Sequence, residues 1–388
     1  MNRKRETGSG ASHPAPIVGR MKTAIVGATG AVGRVVLEEL AGLGVPPTRL
    51  ALFASPRSAG TTLPYAGSRV TVRVLEPDAL AGCELAFFCA GAPVSRSAVP
   101  AALKLGVRVI DNSSAFRMQA GVPLVVPEVN GALLETDPPP RLVANPNCST
   151  AQLVCALAPL ERTFGLTEVV VSTYQSVSGT GRRALAALER ESTGETGRDP
   201  DSPYPVEIAR NLIPWIGPFD QAGYGEEERK LREETRRILD RPDLPVHATA
   251  VRVPTRRGHG ESVLVRLRVP VTRAGVLEVL GSAPGLLLSP DRSPSPGPDG
   301  ADGWTTPREA EGRHAVFVGR VRVAPDDACV VQFWVISDNL LKGAAWNAVQ
   351  IAQRLGLLPA GSPFPGPAAG ETPAGGRARA TEETGGRP

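Results

Sequence analysis

The run Gly27-Ala-Thr-Gly30-Ala-Val-Gly33 constrains this chain more than any other feature. It follows a short apolar strand pattern, residues 23–27 (TAIVG), and opens a helical run over Ala31–Leu43. Strand, glycine turn and helix in that order make the unit that holds a dinucleotide pyrophosphate. The glycines let backbone approach the phosphates, and the helix N-terminus offers free N–H groups and partial positive charge. The spacing is GxxGxxG rather than the commoner GxGxxG, so the turn alone leaves a purely structural role open. Strand patterns recur at 49–54, 70–74, 84–90 and 107–110, with a helix over Pro93–Leu105 between the last two. This alternation predicts a parallel sheet covered on both faces.

The end of the second strand reads out the cofactor. A site for NAD usually places an acid there to bind the ribose 2′-hydroxyl. This chain has Ala54-Ser-Pro-Arg57-Ser58-Ala-Gly60 and no acid. A guanidinium and hydroxyls suit a 2′-phosphate through charge-assisted hydrogen bonds, so NADP is the expected cofactor.

Beyond residue 148 the pattern changes. A helix over 149–164 leads to strand-like runs at 167–175, 246–253, 261–269, 315–323 and 329–336, less regularly interleaved with helices. A helical run over 340–355 closes the pattern. The expected fold class is therefore α/β: a Rossmann-like NADP-binding domain plus an α+β catalytic domain with a mixed sheet. The first domain takes residues 21–147 together with 340–358, and the second takes 148–339. Residues 1–20 read as a disordered extension, with Met21 a second candidate start, and 359–388 as a disordered tail. Residues 192–203 look like a linker, and 288–303 like a mobile surface loop.

Composition excludes several classes. With 388 residues and 41% hydrophobic content, the chain is long enough for two domains. Its 43 Lys+Arg against 39 Asp+Glu leave +4, too little to argue for a nucleic-acid or membrane partner. No window is long and apolar enough to span a bilayer. The five cysteines (83, 89, 148, 155 and 329) form neither a CxxC pair nor a zinc-spaced cluster, so no metal and no disulfide framework is expected, and a cytoplasmic location fits.

Asn145-Pro-Asn147-Cys148-Ser-Thr150 precedes an apolar helical run. A thiol at a helix N-terminus is expected to have a lowered pKa, and Asn147 and backbone amides could donate to an oxyanion. A buried structural cysteine reads equally well on spacing alone. GATGAVG, SPRSAG, NSSAFRM, NPNCST, an EExK-type run, RVP with a His seven residues after its Arg, and SDNLLKGAA follow one another in that order. Together these motifs, over about residues 21–358, resemble the aspartate-semialdehyde dehydrogenase family.

The resemblance implies a role for each matching position. Cys148 would be the nucleophile that forms an aspartyl thioester, His259 the general acid/base, Gln175 the residue that orients the substrate, and Asn147 a further catalytic residue. Arg252 would pair with the substrate α-carboxylate, Glu227 with its ammonium, and Arg117 and Lys230 with phosphate. Gly27, Thr29, Gly30, Ala31, Val32, Gly33, Arg57, Ser58, Ser178, Gly179 and Asn339 would contact NADP. The chemistry is coherent: a zwitterionic acyl phosphate needs a planar cation, an anion and further cations, and thiolate attack splits a hard reduction into two easier steps. The small-molecule partners implied are aspartyl phosphate, aspartate semialdehyde and phosphate, and the assembly a homodimer or homotetramer. On its own, the Glu/Arg run 226–237 reads as a solvated helix face, Arg117 as the partner of a neighbouring acid, and His13, His247 and His314 as structural or surface residues. Two rivals remain: N-acetyl-glutamyl-phosphate reductase, whose cysteine motif tends to read Asn-Pro-Gly-Cys-Tyr, and a catalytically silent relative, which should have lost the Cys or His.

Overall fold

A computed structural model describes residues 21–76, 78–194, 198–291 and 303–361. The expected extension 1–20, all but the first residues of the tail, and most of the 288–303 loop lie outside the described residues.

The first sheet holds β1 (Thr23–Val26), β2 (Leu50–Ala54), β3 (Thr62–Tyr65), β4 (Ser68–Val74), β5 (Leu85–Phe88), β6 (Arg108–Asp111) and β7 (Leu142–Ala144), in the order β3-β4-β2-β1-β5-β6-β7. β1 and β5 are buried at every residue, as strands covered on both faces must be. Alternate residues feed two cores. Ile25, Leu52 and Phe87 pack with Val36, Leu40 and Val349, while Val26, Phe53 and Phe88 join the other cluster. The strand order turns back at β1, so the Gly27 turn leaves from the point where open parallel sheets bind ligands. The expectation of a wholly parallel sheet needs one correction. β3 runs antiparallel to β4 at the edge. Its Pro64 lacks an N–H and suits an edge strand, and Ala66 and Gly67, both at positive φ, close the hairpin.

Helices α1 (Ala31–Gly42), α2 (Ala92–Lys104) and the short α3 (Pro127–Asn130) belong to this half. The closing segment returns to it, with α9 (Trp346–Arg354) packed on α1 and β6. It is not the single α-helix expected over 340–355: Leu341–Ala345 form a π turn first. Such turns concentrate at functional sites.

The second sheet holds β8 (Leu166–Gln175), β9 (Val246–Arg252), β10 (His259–Leu267), β11 (Leu286–Leu288), β12 (Val316–Val323) and β13 (Val330–Ser337), in the order β11-β12-β13-β10-β8-β9. The β8–β9 and β11–β12 pairs are parallel and the rest antiparallel, a mixed sheet. Around it lie α4 (Cys148–Phe164), α5 (Arg182–Ser192), α6 (Glu226–Ile238), α7 (Arg273–Gly281) and α8 (Pro307–Ala310). α4 is buried on nearly every side, and its apolar residues join one cluster that reaches from Val26 of the first sheet to Val331 of the second. The linker expected over 192–203 is corrected in part: Asp199 and Ser202 are buried beside Tyr204.

Candidate active site

The site is built at the N-terminus of α4. Asn147 is its N-cap, and its Oδ1 accepts from the Cys148 N–H at 2.9 Å. The amide of Asn147 points the other way, Nδ2 donating to Glu227 Oε1 at 2.8 Å. The Asn147 N–H donates to Glu234 Oε2 at 2.6 Å. Glu227 and Glu234 are seven residues apart on the inner face of α6, either side of the buried Leu231. The charge run that suggested a solvated helix therefore turns two carboxylates inward.

Gln175 closes β8 and donates from Nε2 to Ser149 Oγ at 2.8 Å and to Glu227 Oε1 at 3.2 Å. Arg252, at the end of neighbouring β9, donates from Nη1 to the Ser176 carbonyl at 2.6 Å, while its buried Nε has no hydrogen-bond partner among the described residues. His259 begins β10 and is fully buried. The Ser176 N–H donates to His259 Nδ1 at 3.1 Å. A backbone amide can only donate, so Nδ1 is unprotonated and the ring proton sits on Nε2, which has no hydrogen-bond partner among the described residues. Burial, then the Arg252 charge, hold His259 well below its ordinary pKa, so the ring is neutral.

Asn147, Cys148, Gln175, Arg117, Glu227, Lys230, Arg252 and Gly179 line one cavity of about 520 Å³. His259 lies directly behind Gly179: a Cβ there would come within 3.2 Å of both Arg252 Nη1 and His259 Nε2. Arg117 does pair with an acid, donating from Nη1 to Glu234 Oε1 at 3.0 Å. Its Nε and Nη2 hold the carbonyls of Asn145 and Asn112 at 2.9 and 2.8 Å. Lys230 Nζ stands 2.8 Å from Glu226 and 3.6 Å from Glu227. Burial depresses its pKa, but these acids outweigh burial and raise it.

The expected lowering of the Cys148 pKa is overturned. Burial, then the negative charge of Glu227, push the thiol up to about 12, against the pull of Arg252, Arg117 and the Ser149 N–H. The helix-terminal effect is real but smaller than the desolvation of the thiol.

Gly27, Thr29 and Gly30 line a second cavity of about 720 Å³, which reaches Ala54, Ser55 and Pro56 at the end of β2. Ala90 lines both cavities, so the two sites adjoin. A Cβ on Gly27 would come within 2.7 Å of the Cys89 carbonyl, and one on Gly33 within 2.4 Å of the Gly27 carbonyl. Only glycine allows the turn to pack this closely. Among the described residues no side chain caps α1, so the N–H groups at Ala31 and Val32 are open to an anion, and the donors present fit a pyrophosphate. Arg57 and Ser58 form a short 3-10 turn after β2, with Arg57 exposed. Ser178 and Asn339 sit deeper. Asn339 Oδ1 accepts from Ser176 Oγ, Ser178 Oγ and the Gly258 N–H at 3.1, 3.2 and 2.9 Å.

Sequence reasoning missed Glu234, Ser176 and Gly343. A Cβ on Gly343, inside the π turn, would lie 2.8 Å from the Cys148 Cβ. Glu234 left a signal in its place one heptad after Glu227, and Gly343 in the SDNLLKGAA motif that contains it.

The family profile described as "Semialdehyde dehydrogenase, NAD binding domain" matches residues 22–136, and "Semialdehyde dehydrogenase, dimerisation domain" matches 157–342. Aspartate-semialdehyde dehydrogenase from Bacillus subtilis (strain 168) is 44% identical over 348 residues, spanning 87% of this chain and 98% of its own. The same-named protein from Aquifex aeolicus (strain VF5) is 42% identical, over 86% of this chain and 97% of its own. The crystal structure of aspartate semialdehyde dehydrogenase II from Vibrio cholerae complexed with ASA superposes with a TM-score of 0.79 at 39% identity, covering 87% of this chain and 98% of that one.

Proposed function

This chain belongs to the aspartate-semialdehyde dehydrogenase family, and on that premise we propose that it interconverts L-aspartyl 4-phosphate and L-aspartate 4-semialdehyde through a thioester on Cys148, serving lysine, threonine and methionine biosynthesis. The observation that carries this reading is the company kept by one half-buried thiol: two guanidiniums, an ammonium and two carboxylates around a single cavity. A zwitterion bearing a phosphoryl group matches that pattern of charge.

Arg252 would grip the α-carboxylate and Glu227 receive the ammonium, using lone pairs that Asn147 and Gln175 leave free. Arg117 and Lys230 would hold the phosphate. Cys148 rests as a neutral thiol, and the cations about it stabilise the thiolate once its proton leaves. Sulfur then attacks the acyl carbon, the carbon–oxygen bond to phosphate breaks, and the departing phosphate carries away the thiol proton. The cofactor, when bound, supplies the hydride in this direction and takes it in the other. His259 Nε2–H is the donor for charge developing on the carbonyl oxygen, and can pass its proton there and reclaim it. Asn147 and Gln175 keep the cysteine and Glu227 in register.

The glycine turn and free helix N-terminus support a nicotinamide dinucleotide; Arg57 supports NADP over NAD. The division of the chain at 147/148, a cytoplasmic location and a homodimer or homotetramer complete the reading. The test is oxidation of aspartate semialdehyde by NADP with and without inorganic phosphate. Phosphate-dependent turnover, with little on N-acetyl-glutamate semialdehyde, is expected. Equal efficiency on both would promote the N-acetyl-glutamyl-phosphate reductase reading, because an acetylated amine leaves Glu227 without an ammonium.

A further inference from the structure

Glu234 is buried, yet it touches neither cavity. Its two oxygens face two different parts of the site. Oε1 accepts from Arg117 Nη1 at 3.0 Å and Oε2 from the Asn147 N–H at 2.6 Å. The guanidinium thus held reaches over the junction between β7 and α4, gripping the Asn145 carbonyl through Nε. Seven residues earlier on α6, Glu227 takes the side-chain amide of Asn147. One helix therefore fixes both the backbone and the side chain of the residue that caps the nucleophile's helix.

We propose that Glu234 is a positioning residue that locks the phosphate-side Arg117 and the Asn147 cap of Cys148 into one geometry. The inference rests on the roles given to Arg117 and Cys148 above. Its logic is one of hydrogen-bond arithmetic. A carboxylate offers acceptors on both sides, and both of its neighbours are donors. A glutamine keeps the shape but presents an NH2 to one of them, so either Arg117 or Asn147 is released. With Asn147 released, its Oδ1 is no longer aimed at the Cys148 N–H. With Arg117 released, its free N–H groups lose their setting at the phosphate end of the cavity. Fractions of an ångström at the reacting atoms matter at this level.

The full chain would be purified as wild type, Glu234→Gln and Glu234→Asp. The aspartate keeps the buried charge beside Arg117, and with it the fold, but is too short to reach both donors. Four quantities would be measured: kcat, the KM for phosphate, the KM for NADP, and the rate of Cys148 alkylation by iodoacetamide followed by intact mass. We expect both variants to lose about tenfold or more in kcat and to need about tenfold more phosphate, with the KM for NADP within about twofold of wild type. The alkylation rate should shift as well. Wild-type kcat, phosphate KM and alkylation rate in a folded variant, whatever its melting temperature, would overturn the proposal. So would failure of both variants to fold, since that would assign Glu234 to the fold rather than the site. A wild type without phosphate-dependent turnover would instead sink the functional reading, and the alkylation arm would still decide the role of Glu234.

Discussion

Glu261 is the most exacting test of how charge is managed beneath the site. It lies on β10 two residues from His259, is fully buried, and neither carboxylate oxygen has a hydrogen-bond partner among the described residues. Burial, reinforced by the negative charge of Glu227, holds its pKa well above the usual carboxyl range despite the nearby amide of Gln152. The native protein therefore carries Glu261 neutral at pH values where the unfolded chain ionises it. The native state then binds more protons than the unfolded state. Stability is fully present below the unfolded pKa of about 4.3, and falls as pH rises from there towards the native pKa. In that window the loss is about 1.4 kcal/mol per pH unit. Glu261→Gln keeps the shape and cannot ionise, so the variant escapes this loss. For a chain of this length the difference in Tm should drift in favour of the variant by about 2 °C per pH unit. The amide brings its own donors, which add a constant offset, so the slope is the quantity to read. Thermal unfolding of both proteins at fixed subunit concentration across about pH 5–7.5 measures it. A difference that stays flat over that range would show that Glu261 titrates alike in native and unfolded chains, and would refute the argument.

Three other perturbations follow from the site. Cys148→Ser should fold normally but show no acyl adduct by mass spectrometry after incubation with substrate, whereas wild type carries one at Cys148; an adduct at Cys155 contradicts the assignment. Arg57→Ala should raise the KM for NADP about 10- to 150-fold, as for about 1.5–3 kcal/mol from a charged hydrogen bond, and leave the KM for NAD nearly unchanged; equal effects on both remove Arg57 as the selector. Gly179→Ala should lower kcat by about tenfold or more with little change in Tm, because its Cβ would crowd Arg252 Nη1 and His259 Nε2 at 3.2 Å; unchanged kcat would place His259 out of action.

Much of this architecture was legible because period and punctuation agree. β1, β2, β4, β5 and β6 of the first sheet, α1, α2 and the alternating runs of the second sheet fall within a few residues of the sequence expectation, whereas β3, β7 and β11 were not expected. Elements that were missed lack a pattern of their own. β3 is four residues with a proline inside, and β11 is three leucines beside a Pro/Gly-rich stretch. The residues of the site were legible only as a set of motifs in order. Their electrostatics were not. A helix N-terminus argues for a thiolate, but how deeply α4 is buried depends on both sheets, and that decides the sign for Cys148. Glu234 and Glu261 stand in polar or charged stretches that local sequence treats as surface, and only the packing of α6 and β10 turns them inward.

The position of α4 has a consequence for motion. Its first residue carries the thiol, and its body packs on the second sheet, α6, α7 and the π turn, within an apolar cluster that extends into the first sheet. Segments with dense apolar contact open only when the whole molecule opens, whereas loops and rims open locally. The reacting sulfur therefore belongs to the slowest-exchanging part of the protein, and the walls around it, such as the exposed Trp215 at the cavity rim, belong to the faster part. Amide exchange along residues 151–158 should follow the global unfolding free energy, and iodoacetamide in mild denaturant should reach Cys148 as the rim loosens, before that helix gives way.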